Sequence, residues 1–441
     1  MSPDSASAVA RLLERLRGEL SLEVGRLRPS VQIPPRAVPL PSRLSTGALA
    51  SSSVSAVSLL AGLPAPPDPD RIALAYRSDR LLRIDGQAAR AWSPFSGFWR
   101  TGEGWIRTHG NYPHHAAGLR TALRLDADAD ATRTQSTLLG MSGTDAVARI
   151  TGAGGLAVRV LPEDPQHDAM LRGTPLLDVR APGTRARDRR PHRPRRGFPP
   201  LDGVRVLDLT RVIAGPVCTR TLALLGADVL RIDPPRLDEL DGQHLDTGHG
   251  KRTARLDARS ERMHELIGEA DVVVLGYRPA ALERLGLSPD LLAVRHPGLV
   301  IARLSAWGSA DADRAGFDSL VQAESGIALI ESVDGEQPGV LPAQALDHSA
   351  GYLLAAAVIA LWERTSRDGV TRIAETSLRR VAAELLGMPR TAEAPPLPPI
   401  DPGPHTAVFR VGTQIVTTVR SALPGTAYRA PRPWGRDQPR W

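Results

Sequence analysis

Asp347 stands in Ala345-Leu-Asp-His-Ser-Ala-Gly351, at the opening of a long apolar stretch with helical character. A carboxylate at a helix start has two uses. It can bond the free amides of the first turn as a cap, or it can act, already ionised, as a nucleophile that needs no base to remove a proton. Asp318, in Gly316-Phe-Asp-Ser-Leu-Val-Gln-Ala-Glu-Ser-Gly326, is a second acidic position that either supports such a site by hydrogen bonding or belongs to a surface turn. His348, next to Asp347, is expected to be exposed or a helix-start polar residue. His109, Asn111, His114 and His115 lie close in sequence, but their spacing matches neither His-Glu-x-x-His nor paired Cys-x-x-Cys. No metal is expected, and a turn shaped by Pro113 accounts for the cluster.

The elements that must carry these residues read as alternating strands and helices. Leu201–Thr210, Gly226–Asp233, Asp271–Leu275 and Leu299–Leu304 each hold a short apolar run, and a helix is expected over Val217–Leu225. Strands of this kind between helical stretches imply βαβ units on a parallel sheet. The predicted class is α/β, a parallel-sheet, Rossmann-like nucleotide-binding domain plus a smaller α+β domain. A dinucleotide turn requires G-x-G-x-x-G for close approach of the pyrophosphate. The turn here reads Ala214-Gly-Pro216, which argues against NAD or FAD.

Six stretches in register, Leu207–Pro216, Leu225–Pro235, Gly250–Thr253, Tyr277–Gly286, Gly316–Gly326 and the Asp347 helix, resemble the class III CoA-transferases, also called the CaiB/BaiF family. The resemblance runs from Pro199 to Met388. It implies that Asp347 attacks an acyl-CoA thioester to form a mixed anhydride, which the released thiolate converts to an aspartyl-CoA thioester, and that an incoming carboxylic acid repeats the exchange. Asp318, Gln322 and Gly351 would support the nucleophile, with Gly326 and Gly351 as candidate amide donors to the oxyanion. The 3′-phosphate and pyrophosphate of CoA call for cations and amides. Arg284 and Lys251, the only lysine in the chain, are the first candidates, with Arg211, Ala214, Arg252 and Tyr277 beside them. CoA enters as substrate, with no tightly bound cofactor. The racemase branch of the family carries a His where this chain has Phe317, which cannot exchange a proton, so CoA transfer is favoured over racemisation. A degenerate acyl-CoA-binding paralogue is the alternative, because several family features are missing. Gly248-His-Gly250 stands where an Asn commonly precedes the Lys-Arg pair, Gly276 replaces another Asn, and neither a Gly-Asp-x-x-Arg element nor a glycine-run loop is found.

Around the module, residues 1–73 read as an N-terminal helix over Ala8–Leu27 and a Ser-rich connector over Ser42–Ser58. Residues 74–180 read as a small-domain-like α+β module with Trp92, Trp99 and Trp105 in its core, placed ahead of the CoA-binding module instead of after it. A Pro/Arg-rich linker covers 181–200, the main module 201–388, a Pro-rich joint 389–404 and a closing segment 405–441. The net charge of +7 is offset by 48 acidic residues and comes with few aromatics, so a nucleic-acid partner is not expected. One cysteine, Cys218, precludes an intramolecular disulfide. No apolar run is read as membrane-spanning and no leader is evident, so the expectation is a cytoplasmic enzyme acting on acyl-CoA and carboxylic acids, as a homodimer by the family resemblance.

Overall fold

A computed structural model describes residues 3–22, 34, 36–89, 92–126, 128–186, 199–396 and 399–441. Most of the linker, residues 187–198, lies outside them. The largest element is a seven-stranded sheet. Six of its strands are parallel: Arg205–Leu209, Asp228–Asp233, Arg252–Arg255, Val272–Leu275, Val300–Ser305 and Arg372–Ser377. Numbered in chain order, they lie in space as 3-2-1-4-5-6. Asp178–Arg180 adds an antiparallel strand beside Arg372–Ser377. Val206, Leu207, Val229, Leu230 and Val272–Leu275 are all buried, as runs covered by helices on both faces must be. The strand order reverses between Arg205–Leu209 and Val272–Leu275, and the crevice beyond their carboxyl ends is where such sheets take ligands.

The helix Ala345–Asp368 is the axis of the core. It packs against Ala214–Leu224 and against Thr46–Leu60. At Gly351 an added Cβ would lie 2.5 Å from the Ala214 carbonyl oxygen and 2.9 Å from Val217, so glycine sets how closely the two helices approach. This 24-residue helix is long and apolar enough to cross a membrane, with mean hydropathy 1.4 over its most apolar 18 residues, yet those residues are wholly buried inside the fold. The sequence reading of no run of such length is corrected accordingly.

The Ser-rich stretch expected as a connector is also corrected, because it forms the buried helix Thr46–Leu60. Ser52 and Ser53 return their hydroxyls to the carbonyls of Ala48 and Leu49 at 2.7 and 2.8 Å. Small side chains bonded to their own backbone leave a narrow face that fits the Ala-rich middle of the Asp347 helix.

A three-stranded antiparallel sheet, Phe98–Thr101, Gly104–Thr108 and Ala157–Arg159, packs with Pro113–Leu123 and Gly143–Gly152 over a core of Phe95, Trp99, Ile106, Leu119 and Ile150. Of the three tryptophans expected there, only Trp99 is buried, with its Nε1 donating to Thr108 Oγ1 at 2.7 Å. Trp92 and Trp105 lie partly exposed at the edge. The C-terminal hairpin Thr406–Val411 and Gln414–Val419 pairs with Arg83–Ile84, which ties the end of the chain to the beginning of the small module.

Candidate active site

Asp347 sits in the first turn of its helix and does not cap it. Gln344 occupies the cap position without a side-chain bond, and the Asp347 amide instead donates to Asp318 Oδ2 at 3.0 Å. The Leu346 amide also bonds Asp318. Asp318, on the short helix Asp318–Glu324, therefore caps the Asp347 helix from outside. Gln322, one turn along, donates to Asp318 Oδ1 and accepts the Leu341 amide at 2.9 Å, which fixes the capping carboxylate. Asp318 is fully buried, and no surface turn is involved.

The Asp347 carboxylate is in a different condition from the backbone behind it. It is 6 % exposed, and among the described residues no hydrogen bond reaches its oxygens. Burial, then the charges of Asp318 and Asp79, push its pKa well above the ordinary carboxylate value. Burial also raises Asp318 to about 6, against the lowering effect of the amides and Gln322. Two carboxylates so close cannot both ionise freely, so the pair titrates as a unit. His348, expected at the surface, is buried against Tyr76, with ring centroids 5.0 Å apart, and burial holds it neutral with a pKa of about 3.

The small module closes over this pair. His109 lies flat on Phe317, with centroids 3.7 Å apart and planes 9° apart, and His115 and Tyr112 stand at 5.9 and 6.2 Å. Burial, with His115 and Arg107 nearby, keeps His109 neutral, at about 3. The histidine cluster thus forms a wall of the site next to Asp318. Neither it nor any other group among the described residues forms a metal-binding set. Stacking between distant parts of a chain leaves no local pattern, so this placement was not legible from the residues alone.

At the switch-point crevice, Tyr112 donates to Glu239 at 2.6 Å, and Glu239 also pairs with Arg231 at 2.7 Å. Burial alone would raise Glu239, but Arg231 and Arg211 hold it down at about 2. Arg211 donates to the Asp238 carbonyl and lies over the Tyr112 ring at 4.9 Å. Next to it, Val212 has φ 71, a left-handed conformation that a β-branched residue adopts only under strain, at the turn out of the first strand. Gly276 faces Thr210, whose Cβ would be 3.0 Å from an added Cβ, so a larger residue there requires Thr210 to shift.

Several sequence candidates are placed away from any ligand. Lys251 is buried. Its ammonium donates to Asp208 at 3.0 Å, to the Pro216 carbonyl at 3.0 Å and to Thr219 at 2.6 Å, and burial lowers its pKa to about 8 despite Asp208. All three donors are used inside the core, so it is not a phosphate contact. Arg252 grips Asp228 with two nitrogens at the amino end of the neighbouring strand, opposite the crevice. Gly351 and Ala214 form the helix contact described above, and the Gly351 amide lies inside the helix. Gly326 has φ 90 and an added Cβ there would strike the backbone of Glu163 at 2.3 Å, so glycine is what admits the small module at this point. Tyr277 is largely enclosed near Asp233 and Arg211, with its hydroxyl unbonded. Arg284 remains at the surface, 58 % exposed, in an ion pair with Asp313 at 3.1 Å.

Residues 201–399 match the model of CoA-transferase family III. A probable fatty acyl-CoA transferase of Mycobacterium tuberculosis is 35 % identical over 205 residues, which cover 42 % of this chain and 52 % of that protein. Formyl-CoA:oxalate CoA-transferase of Rhodopseudomonas palustris is 30 % identical over 41 % of this chain and 49 % of its own length. Succinate–glutarate CoA-transferase of Agrobacterium fabrum is 29 % identical over 43 % and 53 %. A crystal structure of a hypothetical protein from Mycobacterium tuberculosis aligns at 35 % identity over 42 % of this chain and 56 % of that one, with a TM-score of 0.39. The chain spans about half the length of the curated relatives it matches.

Proposed function

Since residues 201–399 match the model of CoA-transferase family III, we propose that this chain transfers CoA from an acyl-CoA thioester to a carboxylic acid, with Asp347 as the nucleophile. The reading rests on one observation: the Asp347 carboxylate is desolvated and free of described hydrogen bonds while its backbone is clamped by Asp318. A carboxylate bonded as a cap would have its lone pairs occupied; this one keeps them for a carbonyl carbon.

In the first half-reaction an Asp347 oxygen bonds to the thioester carbon and the C–S bond breaks, giving a mixed anhydride and CoA thiolate. The thiolate attacks the aspartyl carbonyl, releases the donor's acid as carboxylate and leaves an aspartyl-CoA thioester. The acceptor's carboxylate then displaces CoA to form a second anhydride. Thiolate attack on the acceptor carbonyl restores Asp347. Arg284, exposed, and Arg211, at the crevice, are the remaining cation candidates for the CoA phosphates, with Tyr277 near Arg211.

The test is peptide mapping after incubation with a panel of acyl-CoA thioesters and trapping with hydroxylamine. Modification of Asp347, absent in Asp347→Ala, supports the reading. CoA binding by calorimetry with no adduct from any thioester refutes it in favour of a non-catalytic binder.

A second reading, proton transfer α to the thioester, draws on His109, because Phe317 carries an imidazole flat against it. Deuterium uptake from heavy water into the acyl group, lost in His109→Ala, would distinguish it from CoA transfer.

A further inference from the structure

Five arginines among the described residues are buried: Arg107, Arg220, Arg231, Arg372 and Arg380. Four of them have a carboxylate oxygen between 2.5 and 3.5 Å away: Asp246 for Arg220, Asp233 and Glu239 for Arg231, Asp368 for Arg372 and Glu384 for Arg380. Arg107 has none. It is 7 % exposed, and among the described residues its Nε has no hydrogen-bond partner. Burying a cation without a counter-ion is strongly unfavourable, and proteins accept it where a ligand completes the pair.

The surroundings define that ligand. The guanidinium carbon lies 4.7 Å from the ring centroid of Phe98, its cross-strand neighbour, and 5.1 Å from that of Trp92. The aromatic faces stabilise the cation and offer no acceptor to its N–H edge. That edge presents parallel donors matched to a planar carboxylate. The strand Gly104–Thr108 packs on the helix Asp318–Glu324. Asp318 is the one charge that favours the ionised Arg107, whose pKa burial has lowered to about 10, so the group is a cation at neutral pH. Arg107 is thus carried by a strand that packs on the helix bearing Asp318, the residue that caps the Asp347 turn.

We propose that Arg107 binds a second carboxylate of the acid or acyl group, one remote from the reacting carbon, and so selects dicarboxylic substrates. This rests on the CoA-transfer reading and narrows its substrate class. It assigns the small module, outside the 201–399 match, the part of specificity.

The experiment compares succinate, glutarate and adipate with the monocarboxylic acids of equal chain length as acceptors, in the wild type, Arg107→Gln and Arg107→Lys. Loss of a charge-assisted pair in an enclosed site lowers kcat/KM for the preferred dicarboxylate by roughly ten- to a hundredfold in Arg107→Gln. Arg107→Lys recovers part of it, monocarboxylates stay within about threefold, and labelling of Asp347 by the donor is unchanged. An equal fall for both acid classes, or for neither, overturns the proposal, as does loss of CoA binding itself, which would place a CoA phosphate on Arg107. Calorimetric titration of the three dicarboxylates without CoA separates this from the activity. If the wild type binds one and Arg107→Gln does not, the inference stands even with no turnover; identical binding, or none, overturns it.

Discussion

Replacing Asp347 by Asn keeps the shape of the side chain and removes its charge. No described hydrogen bond ends on the carboxylate, so none is lost. In the unfolded chain Asp347 ionises at its ordinary 3.8; in the folded chain burial and the charges of Asp318 and Asp79 hold the proton to higher pH. The folded state thus binds more protons than the unfolded state between those two values, and stability falls as pH rises through the folded pKa. Carrying Asp318 from 3.8 to about 6 corresponds to roughly 3 kcal/mol, and Asp347, without the compensating amide bonds that Asp318 has, is shifted in the same direction. Asp347→Asn is therefore expected to be more stable than the wild type, with a gain that is larger at pH 8 than at pH 5. The assay is urea unfolding at pH 5, 6.5 and 8, followed by tryptophan fluorescence. A gain independent of pH, or a loss at pH 8, would show that Asp347 is solvated or bonded in the native state, and the argument for a free buried carboxylate would fail.

Asp318→Asn places an amide nitrogen against one of two donors, the Asp347 amide or Gln322, and so leaves a buried donor unpaired at a cost of about 1–3 kcal/mol. By removing a charge beside Asp347 it also moves the acid limb of Asp347 acylation to lower pH, which a pH–rate profile of adduct formation would show or exclude. Gly351→Ala brings a methyl to 2.5 Å from the Ala214 carbonyl and is expected to destabilise by about 2–3 kcal/mol in urea unfolding, whatever its effect on activity; an unchanged midpoint would mean that the two helices separate without penalty. Lys251, the chain's single lysine, is expected to resist an amine-reactive reagent until the protein unfolds, and labelling of the native protein at the unfolded rate would contradict its three core bonds.

The strands of the central sheet were legible where burial on both faces writes an unbroken apolar run, as in Val272–Leu275. Arg252–Arg255 and Arg372–Ser377 were not, because their polar residues are held by partners that the local sequence does not show, such as Asp228 for Arg252 and Asp368 for Arg372. Asp347 and Asp318 stood out through the motifs around them, whereas the external cap joining them is a tertiary contact. Lys251 was misread for a related reason: a lone cation in an Arg-rich chain suggested a phosphate, but Asp208 and Thr219 reach it through the fold. Ser composition suggested a connector at Thr46–Leu60, because the reading weighed polarity and not the small volume that lets a helix approach the Asp347 helix. Arg107 was not legible at all, and His109 only as part of a local histidine cluster, since their significance comes from Asp318 and Phe317 in a different module.

One contact fixes the position of Asp347 and adds to burial in setting its state. A helix start needs an acceptor for its first amides, and the usual residue at the cap position would be a neutral hydroxyl or the carboxylate of that same turn. Here the cap position is Gln344, unbonded, and the acceptor is a carboxylate from another helix. A serine in that role would hold the turn as well but would leave Asp347 with Asp79 alone as a charged neighbour. Asp318 fixes the backbone and at the same time makes ionisation of Asp347 harder, while the positive end of the helix dipole works in the other direction. A carboxylate held by these opposing influences gives up more of its charge to an incoming carbonyl than one stabilised by hydrogen bonds. The external cap is thus a device for placing the carboxylate without quenching it, and Gln322, which orients the cap, serves the nucleophile at one remove.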